Sequence, residues 1–483
     1  MQVYLYQDSV WNIVPQPSLL PRGEYRLKGP LGLKRAMWLE WVYRKFPFLP
    51  VKTEVFKQQA VVFRKTNAGI WRLLTSPDDW QYGDLIRPGI TGLRWKCTRC
   101  GSYNIDTEKC PICKRPNCLV CRDCYLLGPI RSCQLYLWRE PQKRSFLNVK
   151  PKIPFLLTPS QSDAVTELRK GLKAGKKKFL LHAACGAGKT EVAAEVISDI
   201  INAGGKVLYA VPRADVAQEV GERLRIYFPQ IKIAILYGGS KDRYLEQRIV
   251  AATTHQVVKF ERAFDLTVLD ESDAFPYKDN SILKNAILKA SKGPLIYMTA
   301  TPTDSLLREF QKDTKIFIPV RHHAKPLPVP IFFQGSIEAA LNQIEPPLLF
   351  FVPLKKEVKE TVIWLQKLRK NWRLEGISAD TKDRATLIGK IKNQQLDALV
   401  CTTVLERGLT IKGVNVLVLR ADYNIIYTRE VLVQIAGRAG RTTDCPTGKV
   451  IFVANKINKA MREAQKEILS LNDMAQKRGQ LRC

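Results

Sequence analysis

Residues 183–190 have the glycine-rich pattern of a loop that binds phosphate groups. They read AACGAGKT and lie between the apolar run KFLLHA and the helical pattern EVAAEVISDII. Glycine at positions 186 and 188 would let backbone N–H groups face the phosphates, and the ammonium of Lys189 would contact the β and γ phosphates. The hydroxyl of Thr190 would coordinate Mg²⁺. We predict that ATP contacts the loop residues Ala184, Cys185, Gly186, Ala187, Gly188, Lys189 and Thr190.

An acidic tetrad lies 81 residues after Lys189. The apolar run LTVL ends there in DESD, at residues 270–273. Hydrolysis of a nucleoside triphosphate needs one carboxylate for the metal ion and another for the attacking water. We predict that Asp270 holds Mg²⁺ through water, together with Thr190. Glu271 is then expected to orient or deprotonate the attacking water.

Eight of the twelve cysteines lie within 37 residues, at spacings that suit a metal. Each C-x-x-C presents two thiolates from one tight turn, and two such turns complete a tetrahedral Zn²⁺ site. We predict a zinc module with the ligands Cys97, Cys100, Cys110, Cys113, Cys118, Cys121, Cys124 and Cys133. Two ions suit eight ligands, and the alternatives are one ion with spare thiols, a redox pair or an iron–sulfur cluster.

The spacing of the cysteines leaves their pairing open. Cys97, Cys100, Cys110 and Cys113 could share one ion, or the first couple could combine with a later couple in an interleaved arrangement. Outside the cluster, the sequence gives no metal role to Cys185, Cys401, Cys445 and Cys483.

Composition and charge indicate a folded protein that binds a polyanion. The chain has 483 residues, of which 45% are hydrophobic and 25% charged, as in ordinary globular proteins of about three domains. The chain has 77 Lys and Arg residues against 45 Asp and Glu residues. This surplus of positive charge points to a polyanionic partner, either nucleic acid or an anionic lipid surface. Cations near the cysteines that could contact phosphates, or could simply be solvated, are Arg94, Lys96, Arg99, Lys114, Arg115 and Arg122.

The hydrophobic pattern predicts two successive α/β domains with parallel sheets. Short β-branched runs such as VLYAV and LTVLD alternate with longer helical patterns from residue 151 to about 320. A proline-rich linker follows at residues 325–330, and the alternation then restarts. We expect an N-terminal region (1–95), the zinc module (96–135), two α/β domains (151–322 and 331–460) and a C-terminal helix with a basic tail (461–483).

The chain has no run of 18 apolar residues, and its first residues lack the pattern of a signal peptide. We therefore expect no integral membrane segment. The expected location is the cytoplasm, either free or peripheral on the inner face of the cell membrane.

From residue 157 onward, the motifs resemble those of superfamily 2 helicases and translocases. The segment LTPSQ at 157–161 resembles a motif that reads adenine, with Gln161 in that role. Residues 211–215 and 253–256 resemble motifs that contact the nucleic-acid strand, and residues 299–302 resemble the motif that couples hydrolysis to lobe movement. In the second domain, residues 402–403 with 406–408 and the segment QIAGRAGR at 434–441 resemble motifs V and VI.

This resemblance implies two tandem RecA-like domains with ATP bound between them. Gln434 would then lie beside the nucleotide. Charge on the γ-phosphate can be stabilised by an arginine donated across the cleft, and the candidates are Arg438 and Arg441.

The cysteine module ahead of the ATPase core resembles the ComFA family of competence-associated ATPases, over residues 95–460. The resemblance implies a translocase on single-stranded DNA that acts in natural transformation, with other competence proteins, including the membrane DNA channel, as partners, and with a homo-oligomer as a further possibility. One alternative is a PriA-like 3'-5' DNA helicase of replication restart, although in that family the cysteines lie within the second lobe. Another is a zinc-containing DNA-binding adaptor with a regulatory ATPase core.

Overall fold

The computed structural model of the chain describes most residues after 94 and several strands before them. The described residues are 2–7, 11–14, 23–32, 35, 37, 41, 54–58, 72–73, 85–91, 95–138, 145–242, 247–278, 280–381, 383–405 and 410–482.

The first part of the chain forms small antiparallel sheets. Its strands are β1 (Gln2–Gln7), β2 (Trp11–Val14), β3 (Gly23–Gly32), β4 (Glu54–Gln58), β5 (Arg72–Leu73), β6 (Leu85–Pro88), β7 (Ile90–Thr91), β8 (Lys96–Cys97), β9 (Ile105–Glu108), β10 (Cys118–Cys121) and β11 (Leu135–Trp138). Strands β1 to β4 form one sheet in the order β2-β1-β3-β4, and β11 lies between β5 and β6 in another. The cysteine segment is therefore inserted between two neighbouring strands of the second sheet.

A seven-stranded parallel sheet follows. It has the order β14-β15-β13-β16-β17-β12-β18. Its strands are β12 (Lys178–Ala183), β13 (Val207–Val211), β14 (Ile233–Leu236), β15 (Ile249–Thr253), β16 (Leu266–Asp270), β17 (Leu295–Thr299) and β18 (Lys315–Ile318). Every residue of β13 and of β16 is buried, as expected for a sheet that is covered by helices on both faces.

Helices cover this sheet, and we call the sheet and its helices together the first lobe. They are α1 (Pro159–Lys173), α2 (Lys189–Asn202), α3 (Ala214–Tyr227), α4 (Thr254–Val257), α5 (Ser281–Ala290) and α6 (Asp304–Arg308). Strands β16, β17 and β12 are neighbours and parallel, so that their carboxyl ends meet at one edge of the sheet. The phosphate-binding loop and the acidic tetrad lie at this edge, and so does Thr299, the first residue of the segment 299–302.

The second lobe is a six-stranded parallel sheet with the order β19-β24-β23-β20-β22-β21. Its strands are β19 (Ile331–Phe333), β20 (Leu348–Phe351), β21 (Leu374–Ile377), β22 (Ala398–Cys401), β23 (Asn415–Val418) and β24 (Val450–Val453). Its helices are α7 (Ile337–Leu341), α8 (Lys355–Leu368), α9 (Arg384–Lys392), α10 (Arg429–Ala436) and α11 (Lys459–Lys477). The prediction of two tandem parallel-sheet domains is confirmed.

The C-terminal helix α11 holds the connector between the lobes. Its buried face repeats every three or four residues, through Met461, Ala464, Ile468, Leu471 and Ala475. On the same helix, the side-chain amide of Asn472 accepts a hydrogen bond from the backbone N–H of Leu327 (2.7 Å) and donates one to the carbonyl oxygen of that residue (3.0 Å). The helix therefore fixes a connector that has no regular structure of its own.

Candidate functional site

The phosphate-binding loop connects β12 to the N-terminus of α2. Gly186 and Gly188 have φ angles of +80° and +79°, which favour glycine. A Cβ atom on Gly188 would lie 2.0 Å from Nε2 of Gln161. The loop therefore needs glycine at both positions, and it leaves backbone N–H groups at the start of a helix, where anions bind.

A cavity of about 640 Å³ lies between this loop and the second lobe. That volume is within the range of small-molecule sites. The predicted site residues that line it are Gln161, Cys185, Gly186, Ala187, Gly188, Lys189, Thr190, Asp270, Glu271, Gln434, Arg438 and Arg441. Ala184 does not line the cavity; it is buried behind the loop, where its N–H donates to the carbonyl oxygen of Ile318 at 2.9 Å.

Three donors hold the carboxylate of Asp270. Its Oδ1 lies 3.1 Å from Nζ of Lys189 and accepts the backbone N–H of Glu271 at 2.8 Å. Its Oδ2 accepts the phenolic hydrogen of Tyr209 at 2.9 Å. Burial lowers the pKa of Lys189, but nearby carboxylates, Asp270 first among them, more than offset this, and the pKa is raised overall. Lys189 therefore carries a full positive charge at neutral pH.

The rest of the acidic tetrad connects the site to residues 299–302. Glu271 has a φ angle of +54°, a conformation that costs a non-glycine residue about 1 kcal/mol or more and that clusters at functional sites. Asp273 accepts hydrogen bonds from the hydroxyls of Thr299 (2.6 Å) and Thr301 (2.8 Å). These hydrogen bonds connect the tetrad to the segment that leads toward the second lobe.

Motif VI of the second lobe lies directly against the phosphate-binding loop. The thiol of Cys185 is 3.3 Å from Oε1 of Gln434, a contact between the two lobes. Arg441 donates from Nε to the carbonyl oxygen of Gly437 at 2.9 Å, and Arg438 is only 2% exposed. Burial lowers the pKa of Arg441, yet an arginine keeps its charge at neutral pH. The structure thus brings two cations to the wall of the cavity that faces Lys189.

Gln161 is held by the protein itself. Its Oε1 accepts the backbone N–H of Thr158 at 2.8 Å, and its Nε2 donates to the carbonyl oxygen of Ala187 at 3.0 Å. These bonds join the N-terminus of α1 to the phosphate-binding loop. The amide retains one further donor and one further acceptor position, so the adenine-reading role of Gln161 stays a prediction.

The segments that resemble strand-contacting motifs are only partly described. Arg213 is paired with Asp215 at 2.7 Å, and Thr253 and Thr254 are buried. Thr402 is buried at the end of β22. Residues 406–408, the second part of the segment that resembles motif V, lie outside the described residues.

The eight clustered cysteines form two separate groups of four. The first contains Cys97, Cys100, Cys121 and Cys124, and the second contains Cys110, Cys113, Cys118 and Cys133. Within each group the ligand atoms all lie within 4.8 Å of one another. The interleaved pairing is therefore the one that the geometry supports, and one ion shared by Cys97, Cys100, Cys110 and Cys113 is not.

The sulfur spacing fits zinc. A tetrahedral ion with Zn–S bonds of about 2.3 Å places its sulfur atoms about 3.8 Å apart. The observed separations are 3.8 Å for Cys97 and Cys124, 3.6 Å for Cys100 and Cys121, and 3.7 Å for Cys110 and Cys133.

Backbone N–H groups favour a thiolate in the second group. The N–H groups of Ile112 and Cys113 both donate to Sγ of Cys110 at 3.4 Å. Burial raises the pKa of Cys110, but these and neighbouring hydrogen bonds lower it to about 6 overall. A thiolate is the form that binds a metal ion.

One cation of the cysteine module, Arg99, is buried and is not available to a nucleic-acid strand. Arg99 is 8% exposed and donates to the carbonyl oxygens of Cys124 and Gly128, inside the module. Arg122 is paired with Asp106 at 2.7 Å. For Arg99 the expectation of a free phosphate contact is wrong, because the zinc turn needs its guanidinium. Arg94 lies outside the described residues, and Lys96, Lys114, Arg115 and Arg122 are exposed.

The cysteine module is attached to the first lobe through helix α5. Nζ of Lys289, on α5, donates to the carbonyl oxygens of Thr98 (2.9 Å) and Arg99 (3.1 Å), which lie in the turn between two cysteine ligands. Ile282 on the same helix packs against the buried residues of the module. Helix α5 begins eight residues after Asp273, so the module contacts the helix that follows the acidic tetrad in the chain.

Sequence reasoning missed Tyr209 and Arg321. Tyr209 is buried in β13 and its hydroxyl reaches Asp270. A hydroxyl within an otherwise apolar core strand was a usable signal, because a buried tyrosine normally has a hydrogen-bond partner. Arg321 is 1% exposed and contacts both lobes, and no local pattern marks it.

Fold and site together define the class of the protein. Two RecA-like lobes that enclose a phosphate-binding loop, paired carboxylates and motif VI arginines are the architecture of a superfamily 2 helicase-like ATPase. Residues 155–304 match the family described as "Type III restriction enzyme, res subunit", and residues 335–443 match the "Helicase conserved C-terminal domain". The protein is an ATP-hydrolysing, helicase-like enzyme.

Within this class, two relatives identify the family. The chain is 34% identical over 410 residues to "Competence protein ComFA" of Bacillus subtilis (strain 168), covering 80% of this chain and 88% of the relative. It is 35% identical over 402 residues to "Competence protein ComFA" of Streptococcus pneumoniae (strain ATCC BAA-255 / R6), covering 78% of this chain and 90% of the relative. The chain belongs to the ComFA family, which confirms the prediction from its motifs.

A solved structure agrees with the fold. The structure of Mss116p bound to ssRNA and AMP-PNP has a TM-score of 0.50 to this chain at 18% identity, over 64% of this chain and 72% of the other. That similarity concerns the fold alone. In the described part of the chain, every helix is too short or too polar to cross a membrane.

Proposed function

We propose that this protein is an ATP-driven translocase on single-stranded DNA that draws incoming DNA into the cell during natural transformation. The observation that carries the proposal is the composition of the nucleotide cavity. One wall is the phosphate-binding loop of the first lobe, and the other carries Arg438 and Arg441 of the second lobe. An ATPase built across two lobes can convert each hydrolysis event into a change of lobe position.

Each catalytic group has a proposed role that follows from its chemistry. Lys189 binds the β and γ phosphates, and Glu271 orients the attacking water. The hydroxyl of Thr190 and the carboxylate of Asp270 are oxygen ligands of the kind that Mg²⁺ prefers, and they line the same cavity. When bound there, Mg²⁺ neutralises charge on the phosphate oxygens. Arg441 stabilises the charge that develops on the γ-phosphate, with Arg438 beside it.

The same contacts suggest how hydrolysis moves the lobes. Asp273 is bonded to Thr299 and Thr301, and the carbonyl oxygen of Pro302 accepts a hydrogen bond from Arg429 of the second lobe at 2.8 Å. This chain of contacts runs from the acidic tetrad to α10, which leads into motif VI. We infer that loss of the γ-phosphate releases Arg441 and lets the lobes separate, so that two strand-binding surfaces step along DNA.

The cysteine clusters are proposed to hold two Zn²⁺ ions with a structural role. All eight thiolates are used in two sets of four, which leaves no open coordination position for catalysis. Four-thiolate sites of this kind couple metal binding to local folding. The module would therefore be rigid when it contacts α5.

The remaining assignments concern partners and organisation. The surplus of positive charge supports binding of DNA phosphates. We propose that other competence proteins, including the membrane DNA channel, are partners, that the protein acts at the cytoplasmic face of the membrane, and that it can form homo-oligomers. We also propose the domain bounds 96–135, 151–322, 331–460 and 461–483, with the role of residues 1–95 unassigned.

Hydrolysis of ATP by the full chain, with and without single-stranded DNA, tests the proposal. The proposal predicts that single-stranded DNA raises the turnover number several-fold. Duplex DNA of the same length is the matched control, and it should stimulate less. No stimulation at saturating DNA would refute a translocase and would favour an adaptor with a regulatory ATPase core.

A further inference from the structure

Arg321 is a buried cation at the junction of the two lobes. It follows β18, the edge strand of the first-lobe sheet, at the start of the connector. It is 1% exposed and is one of the largest fully buried side chains of the described residues. Among those residues no carboxylate pairs with it. Burying a cation without a carboxylate costs free energy unless its N–H groups find other hydrogen-bond acceptors. The acceptors of Arg321 therefore indicate its role.

All acceptors of Arg321 are backbone carbonyl oxygens at the ATP cleft. Its Nε donates to Cys185 of the phosphate-binding loop at 2.9 Å. Its two terminal nitrogens donate to Gly437 at 2.9 Å, to Ala439 at 2.6 Å and to Gly440. One planar guanidinium therefore joins the loop of the first lobe to motif VI of the second, and four of its five donors are used.

These carbonyl groups belong to the C-terminal end of a helix. Gly437 is the C-cap of α10, and Ala439 and Gly440 follow it. The last carbonyl groups of a helix lack intrahelical partners and carry partial negative charge, so a cation there stabilises the end of the helix. Arg321 fixes the segment from which the side chains of Arg438 and Arg441 project.

Arg441 is held in the same arrangement. Its Nε shares the carbonyl oxygen of Gly437 with Arg321. A Cβ atom built on Gly186 would lie 3.5 Å from Nε of Arg441 and 3.8 Å from Nε of Arg321. Both guanidinium groups thus lie against the phosphate-binding loop, but only Arg441 lines the nucleotide cavity.

We propose that Arg321 is a positioning residue of the ATPase reaction, which holds motif VI against the phosphate-binding loop so that Arg441 meets the γ-phosphate. The inference rests on the proposed role of Arg441. Arg321 acts through Arg441 and does not contact the nucleotide. Its loss should therefore reduce turnover and leave nucleotide binding to the phosphate-binding loop nearly unchanged.

Substitution R321K in the full chain tests this, with R321Q as a second variant. Lysine keeps the charge but cannot form the planar fork of four hydrogen bonds. The proposal predicts that kcat for DNA-stimulated hydrolysis falls at least about tenfold, as for loss of one transition-state contact. The dissociation constant for a fluorescent non-hydrolysable ATP analogue should stay within about twofold. R248K is the matched control, because Arg248 also donates to backbone carbonyls, of Ile201 and Ser145, away from the cleft.

The double variant R321K/R441A distinguishes positioning from an independent role. If Arg321 acts through Arg441, the double variant is no slower than R441A alone. A kcat of R321K equal to that of wild type would overturn the proposal, as would additive losses in the double variant. A lower melting temperature of R321K, together with weaker analogue binding and a lower kcat, would also overturn the proposal, because that combination indicates a purely structural role. Wild-type turnover by R441A alone would instead contradict the proposed function.

Discussion

Tyr209 and Asp270 lie on the neighbouring strands β13 and β16, and the phenol of Tyr209 donates a hydrogen bond to the carboxylate of Asp270 across 2.9 Å. Burial raises the pKa of Tyr209 well above its usual value, and the Asp270 carboxylate raises it further. The phenol therefore keeps its proton at every pH at which the protein functions. It fixes one oxygen of Asp270 while Lys189 and the N–H of Glu271 hold the other.

Replacing Tyr209 by phenylalanine should weaken the response of the enzyme to Mg²⁺. A hydrogen bond of this kind contributes about 1 kcal/mol, so the Mg²⁺ concentration for half-maximal hydrolysis should rise about fivefold. A titration of ATP hydrolysis with Mg²⁺ measures this. Tyr427→Phe is the control, because the hydroxyl of that buried tyrosine in the second lobe has no hydrogen-bond partner among the described residues. Equal Mg²⁺ curves for Tyr209→Phe and wild type would show that the phenol does not orient Asp270.

Replacing Glu271 by glutamine should separate binding from hydrolysis. The amide cannot accept a proton from the attacking water, so turnover should fall at least about a hundredfold. Binding of a fluorescent ATP analogue should persist, whereas Lys189→Ala should lose turnover and weaken binding of the phosphates while DNA binding remains. Wild-type turnover by Glu271→Gln would show that another residue activates the water.

Zinc content tests the interleaved pairing of the cysteines. Because Cys100 and Cys124 belong to one group, Cys100→Ser/Cys124→Ser should lose one of two Zn²⁺ ions. Cys100→Ser/Cys118→Ser disrupts both groups and should lose both. Elemental analysis of the purified variants gives the count, and Cys401→Ser is the control outside the clusters. If the cysteines instead paired in sequence order, Cys100→Ser/Cys124→Ser would also lose both ions. That result would contradict the interleaved pairing, whereas Cys100→Ser/Cys118→Ser loses both ions under either pairing.

Lys289 should anchor the zinc module to the first lobe. Lys289→Ala removes the donor to the carbonyl oxygens of Thr98 and Arg99. We expect amide hydrogen exchange to rise about tenfold in residues 96–101, which corresponds to about 1.4 kcal/mol of lost protection. Lys284→Ala, at an exposed position of the same helix, is the control. Unchanged exchange in residues 96–101 would mean that packing around Ile282 alone holds the module.

The nucleotide site could be predicted because its parts are local in sequence. The phosphate-binding loop needs a strand, two glycines and a helix start in one short segment, and AACGAGKT supplies them. The acidic tetrad likewise ends a single apolar strand. The parallel neighbours β12, β17 and β16 then bring the two segments to one edge of the sheet, as the alternation of strands and helices predicts.

The pairing of the cysteines could not be read from their spacing. A C-x-x-C turn fixes which two thiolates are adjacent, but the partner turn depends on tertiary structure. Here the antiparallel pair β9 and β10 returns the chain so that Cys121 and Cys124 meet Cys97 and Cys100. Arg321 was unpredictable for a related reason, because its acceptors are backbone carbonyl groups more than a hundred residues away in both directions.

Displacement of streptavidin from biotinylated single-stranded DNA tests the central claim most directly. If ATP hydrolysis drives movement along the strand, the wild-type protein should release streptavidin from one end of the DNA much faster with ATP than with a non-hydrolysable analogue. Glu271→Gln should release it no faster than the analogue does, although it still binds the DNA. Release at equal rates with ATP and with the analogue, alongside normal DNA-stimulated hydrolysis, would contradict translocation.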